Sequence, residues 1–215
     1  MLLITGSQRS GTSLVAKYCQ SMGYNLGSDF WDDNINAGLE SEAICKFYSE
    51  AMGMPNLPFK NFPYSQENYP KLEDIESKIQ KSSFLMTSPD FVDLWYHRRQ
   101  NQDKFLILTR NSIEIVRSKS HSPERIEIFG EQDSSLDQDI EQIGSNWYES
   151  YMRIMEYGID HHVLKFPEFA VDGAFELRSV LEGFTENIAF SAPIGLTKWR
   201  KMYDPSKITQ SIFNT

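Results

Sequence analysis

The first twenty residues, MLLITGSQRSGTSLVAKYCQ, constrain the fold more than any other stretch. Met1 to Thr5 is a short apolar run of the length of a buried strand. Gly6-Ser-Gln-Arg-Ser-Gly-Thr-Ser13 follows at once. Leu14, Val15 and Tyr18 then recur at helical spacing, with Ala16 and Lys17 as good helix formers. Strand, glycine loop, helix is the context in which a glycine-rich loop becomes a phosphate cradle. Gly6 and Gly11 accept backbone angles that aim successive N–H groups inward. The helix start adds its own unpaired N–H groups and the positive end of its dipole.

The spacing is G-x-x-x-x-G, that of a P-loop, but Thr12-Ser13 follows the second glycine. A nucleotide triphosphatase has lysine at the position of Thr12, reaching the β- and γ-phosphates, and a hydroxyl next to it on magnesium. Here the hydroxyl is kept and the lysine is not. Arg9 is the loop's only cation. The loop is expected to bind an anion, though not ATP in the usual manner.

At 215 residues the chain suits one α/β domain, residues 1–215, with a full core. A net charge of −9 argues against a general nucleic-acid-binding surface, which favours basic residues, but permits a local basic pocket. Two cysteines, Cys19 and Cys45, read as buried thiols rather than a disulfide framework. The run at Met1 lacks the basic start of a secretory signal, and no stretch of about 18 apolar residues predicts a membrane-spanning helix.

Along the chain, helices are expected over Leu14–Met22, Ser41–Met52, Leu72–Lys81, Phe91–Arg99, Ile140–Tyr157 and Phe175–Phe184. Strands are expected at Leu2, Ser83–Thr87, Lys104–Thr109 and His161–Phe166. Tyr24–Asn36, proline-rich Met54–Pro70 and Ser120–Asp139, which contains His121, read as connections. Lys104–Thr109 is apolar on both faces, as in a central parallel strand. Arg110 leaves its carboxyl end, where open α/β sheets bind ligands, and Ser118 lies two helical turns on. His161 and His162 are adjacent on a strand and point to opposite faces, so no metal site is expected.

Arg9-Ser10-Gly11-Thr12-Ser13 resembles the 5′-phosphosulfate loop of sulfotransferases, which use 3′-phosphoadenosine 5′-phosphosulfate (PAPS). Arg110 and Ser118 are similarly spaced to the family's 3′-phosphate site. The resemblance implies a P-loop-like α/β fold with a parallel central sheet and helices on both faces. It also implies PAPS as co-substrate, 3′-phosphoadenosine 5′-phosphate (PAP) as product, no metal and a cytoplasmic setting. Gly6, Ser7, Gln8, Arg9, Ser10, Gly11, Thr12 and Ser13 would hold the phosphosulfate, and Arg110 and Ser118 the 3′-phosphate. Lys198 and Arg200, in a late Gly-x-Trp-basic-like segment, would close over the nucleotide.

Asn36-Ala-Gly-Leu-Glu40 is similar to a family segment whose glutamate serves as base, though one residue shorter between Gly38 and Glu40. Glu40 reads either as that base or as a carboxylate complementing the following helix dipole, with Glu42 and Asp90 as substitutes. The family's lysine or histidine after its second core strand has no counterpart in Thr87-Ser88-Pro89. The expected reaction is sulfuryl transfer to a hydroxyl or amine of a small-molecule or carbohydrate acceptor. Arg9 stabilises the leaving nucleotide and Glu40 takes the acceptor proton. The alternatives are a P-loop small-molecule kinase using ATP and magnesium, and a PAPS-binding regulator without activity.

Overall fold

A computed structural model describes residues 1–24, 26, 30–31, 39–51, 79–99, 102–120, 136–171, 175–184, 199 and 203. Four strands form a fully parallel sheet: β1 (Leu2–Gly6), β4 (Ile79–Lys81), β5 (Lys104–Thr109) and β6 (His161–Lys165). Their spatial order is β4-β1-β5-β6. A separate antiparallel pair joins β2 (Phe30–Trp31) to β3 (Glu40–Ser41). The helices are α1 (Thr12–Ser21), α2 (Glu42–Ala51), α3 (Pro89–Arg99), α4 (Ser112–Ser120), α5 (Leu136–Glu156), α6 (Glu168–Val171) and α7 (Phe175–Phe184).

The strand alternation sorts the core into two layers, because successive side chains leave opposite faces of a sheet. Leu2, Ile4, Leu106, Leu108 and Leu164 pack with Val15, Ala16 and Cys19 of α1 and with Leu177 and Leu181 of α7. Leu3, Phe105 and Ile107 pack with Ile44 of α2, Phe91, Val92 and Trp95 of α3, and Ile154 of α5. Helices therefore cover both faces, as the apolar central strands β1 and β5 require. Trp199 joins the first layer, its indole N–H donating to the Ala170 carbonyl (2.9 Å) and its ring meeting Tyr18 edge-on at 5.2 Å.

Two expected elements are corrected. Leu72–Lys81 does not run as a helix to its end: Ile79–Lys81 is strand β4, pairing Leu2↔Ile79 and Ile4↔Lys81, while 72–78 lie outside the described residues. Ser83–Thr87 is not a strand. Phe84–Met86 forms one 3₁₀ turn, because the chain has already left the sheet edge at Lys81 and turns into α3. Boundaries shift elsewhere: α1 begins at Thr12, directly on the loop, α2 at Glu42, and α5 at Leu136 inside the expected connection. The expected segment Met54–Pro70 and His121 lie outside the described residues.

The strand order places the site. From β1 the chain passes to β4 on one side and then to β5 on the other. The direction of winding reverses between β1 and β5, and such a switch point opens a crevice at the carboxyl ends of the strands. The loop after Gly6 and the turn at Arg110 both emerge there, since Gly6 is registered with Leu108.

Candidate active site

The loop from Gly6 to Gly11 is held by contacts that only glycine tolerates. A Cβ on Gly6 would lie 2.4 Å from the Leu108 carbonyl oxygen and 2.6 Å from Ser10 Oγ. Gly11 has φ +96°, and a Cβ there would stand 2.8 Å from the Phe166 ring. Arg9 also adopts a left-handed backbone, φ +65°, a conformation that costs a non-glycine residue about 1–2 kcal/mol. Within the loop, the Ser10 N–H donates to the Ser7 carbonyl at 3.1 Å.

Gly11 is the N-cap of α1 and supplies no side-chain hydrogen bond. The first ladder bond is Val15 N–H to the Gly11 carbonyl, which leaves the N–H groups at the start of the helix without intrahelical acceptors. No acidic residue occupies the first turn. Ser10 Oγ is buried and, among the described residues, has no hydrogen-bond partner. Helix-start N–H groups without intrahelical acceptors and a positive dipole end at one point are the features from which anion sites are built. Ser7 and Thr12 are buried, Arg9 and Ser13 are half-buried, and Gln8 is exposed.

Arg110 braces this loop from the end of β5. Its Nη1 donates to the Arg9 carbonyl (3.0 Å) and its Nε to Glu114 (3.1 Å). The guanidinium lies over the Phe166 ring, 5.2 Å from its centroid. Phe166 thus touches both Gly11 and Arg110. It is a positioning residue that sequence reasoning missed, since a lone Phe at a strand end reads as core. Ser118 lies on α4, one helix on from Arg110; Lys198 and Arg200 lie outside the described residues.

Glu40 sits on β3, not in the first turn of a helix, and is buried. Its Oε1 accepts from Lys81 Nζ at 2.7 Å and from Ser83 Oγ at 3.0 Å, and its Oε2 accepts from the Ser83 N–H at 3.1 Å. Lys81, 2 % exposed, is the last residue of β4, beside Ile4 and two residues from the loop in register. The second strand of the sheet is thus Ile79–Lys81 rather than Ser83–Thr87, and it ends on Lys81. Glu42 follows on α2, and Asp90, in the first turn of α3, faces Arg153 at the surface (3.1 Å).

A cavity of about 250 Å³ opens between the loop, the 3₁₀ turn and α5. Ser7 and Gln8 form one wall, Met86 and Thr87 the second, and Gln142, Ile143 and Asn146 the third. Ile143 is an apolar member of this third wall. Among the described residues no group of three His, Cys, Asp or Glu side chains is arranged to hold a metal, and no helix is long and apolar enough to cross a membrane.

The fold is that of a parallel α/β protein with a glycine loop at its topological switch point. No family model matches the chain, and no curated protein matches it. Among solved structures it is similar to a sulfotransferase domain from the curacin biosynthetic pathway, at 16% identity and a TM-score of 0.46, covering 91% of this chain and 76% of that one.

Proposed function

We propose that the chain is a single-domain sulfotransferase moving a sulfuryl group from PAPS to an acceptor hydroxyl. The observation that carries this reading is the lysine-free glycine loop with uncapped α1 behind it, which walls a cavity whose other side is the 3₁₀ turn joined through Ser83 to the buried Glu40 carboxylate. The loop N–H groups and the Thr12 and Ser13 hydroxyls hold the phosphosulfate. Arg110, with Ser118, holds the 3′-phosphate. The acceptor oxygen bonds to sulfur as the bond from sulfur to the 5′-phosphate oxygen breaks, and Arg9 stabilises the charge gathering on that oxygen. The acceptor proton passes to Glu40, whose Oε2 accepts one hydrogen bond from Ser83 and keeps a second lone pair. Catalysis is then mostly positioning and electrostatics.

Calorimetry of the full chain with PAP and with ATP, each with and without magnesium, tests the reading. PAP is expected to bind without magnesium and more tightly than ATP, and labelled PAPS is expected to yield a sulfated acceptor. Tighter, magnesium-dependent ATP binding would make the protein a kinase. Tight PAP binding with no product from any hydroxyl acceptor would make it a regulator.

A further inference from the structure

The cavity beside the loop has a defined hydrogen-bond polarity. Asn146 Nδ2 donates to the Thr87 carbonyl at 2.8 Å, and Gln142 Nε2 donates to Asn146 Oδ1 at 2.6 Å. A backbone carbonyl only accepts, so it fixes which end of the Asn146 amide faces it. That orientation makes Oδ1 the atom turned to Gln142, which must then donate, leaving Gln142 Oε1 as an acceptor. One carbonyl thus sets both amides. The Thr87 hydroxyl is itself committed, lying 3.2 Å from the Phe84 carbonyl. The 3₁₀ turn carrying this wall is tied at its other end to Glu40 through Ser83. The amide pair and the carboxylate therefore stand at the two ends of one short turn.

Among the described residues no ionisable side chain lines the cavity. An anionic acceptor would therefore find no side-chain counter-ion among these lining residues to offset its lost hydration, which is costly. Met86 and Ile143 add an apolar wall suited to the C–H face of a ring. At about 250 Å³ the space lies below the usual range for drug-sized ligands, roughly 300–1,000 Å³.

We infer that this cavity is the acceptor site and selects a compact, uncharged polyol the size of one sugar ring, with Gln142 and Asn146 as its specificity-determining residues. The inference rests on the sulfotransfer reading for the word acceptor, but the selectivity is a property of the cavity alone.

The test is binding to the full chain, by ligand-observed NMR, of paired compact probes: inositol, glycerol and methyl hexosides, each against the matching carboxylate (glycerate, hexuronates). Neutral members are expected to bind at least tenfold more tightly than their carboxylate partners. Asn146→Leu is expected to weaken them tenfold or more while PAP affinity stays within twofold. Gln142→Lys, at an exposed helix position, is expected to bring in the carboxylate probes. Equal or tighter carboxylate binding to the unaltered chain, no binding of any neutral probe, or indifference to Asn146→Leu would overturn the inference. Failure of PAP to bind would remove the sulfotransfer reading and leave the probe comparison standing.

Discussion

The buried pair between Glu40 and Lys81 offers the sharpest test of how the site is built. The two side chains are 9 % and 2 % exposed, joined at 2.7 Å, and Ser83 adds two further donors to the carboxylate. Glu40→Gln keeps the shape and an acceptor for Ser83 but removes the charge opposite the ammonium. Breaking one side of a buried pair costs about 3–5 kcal/mol, because the remaining charge stays desolvated. Replacing both partners with apolar groups is often neutral. Urea unfolding of the full chain at neutral pH should therefore show Glu40→Gln and Lys81→Met each destabilised by roughly 3 kcal/mol or more. The double variant Glu40→Leu/Lys81→Met should recover most of that loss. Glu40→Gln should also lose turnover, by about 100- to 10,000-fold for the removal of a general base, with PAP still bound by the folded fraction. Single variants within about 0.5 kcal/mol of the parent chain, the range of an ordinary surface change, would refute the buried-pair account. Full turnover in Glu40→Gln would move the base elsewhere, Glu42 and Asp90 being next to test.

Four further outcomes follow from the same geometry. Arg9→Ala should lower kcat more than it weakens PAPS binding, and a raised KM with unchanged kcat would assign Arg9 to ground-state binding. Arg110→Ala should weaken PAP by about 2–3 kcal/mol, the range of a charge-assisted contact, and adenosine 5′-phosphosulfate by much less. Equal losses in calorimetry would confine Arg110 to bracing the Arg9 carbonyl. Gly6→Ala should be worse than Gly11→Ala for both folding yield and nucleotide affinity, since its Cβ meets a backbone oxygen at 2.4 Å whereas that of Gly11 meets a side-chain ring; the reverse order would place the tight approach elsewhere. Burial pushes the Cys19 thiol up to about 12, so at pH 8 it stays protonated and should react with iodoacetamide only at the rate of unfolding. Rapid labelling of the native chain would contradict its position under the sheet.

The sequence was most readable where apolar runs are continuous. β1 with its loop and β5 with Arg110 follow from local pattern alone, because both strands are buried on both faces and need no distant partner to explain their composition. β4 was unreadable for the opposite reason. Gln80 and Lys81 are buried polar residues whose partners, Leu26 and Glu40, lie 54 and 41 residues away. Polar residues in a strand pass for a connection until those partners are known, and Ile79 fitted a helical spacing with Leu72 and Ile75. Phe84-Leu-Met86 was apolar enough for a strand, yet it packs as a turn beyond the sheet edge. The shifted strand hid Lys81, although a lysine closing a three-residue run just before Ser82-Ser83 was the available signal. Gln142 and Asn146 gave none: polar residues at i and i+4 on an amphipathic helix look like solvated surface, and only the Thr87 carbonyl gives them a role.

The uncapped start of α1 has a consequence for the life of the protein outside catalysis. Its first-turn donors have no intrahelical acceptors and, among the described residues, the Ser10 hydroxyl has no partner, so an anion held there would add hydrogen bonds that the fold itself does not make. Any nucleotide that binds the folded form alone acts as a folding partner: at one hundred times its Kd it adds about 2.7 kcal/mol of stability. Resistance to heat or protease then becomes a gauge of nucleotide supply, and a melting-temperature screen of anions reads the loop's preference without any acceptor being known.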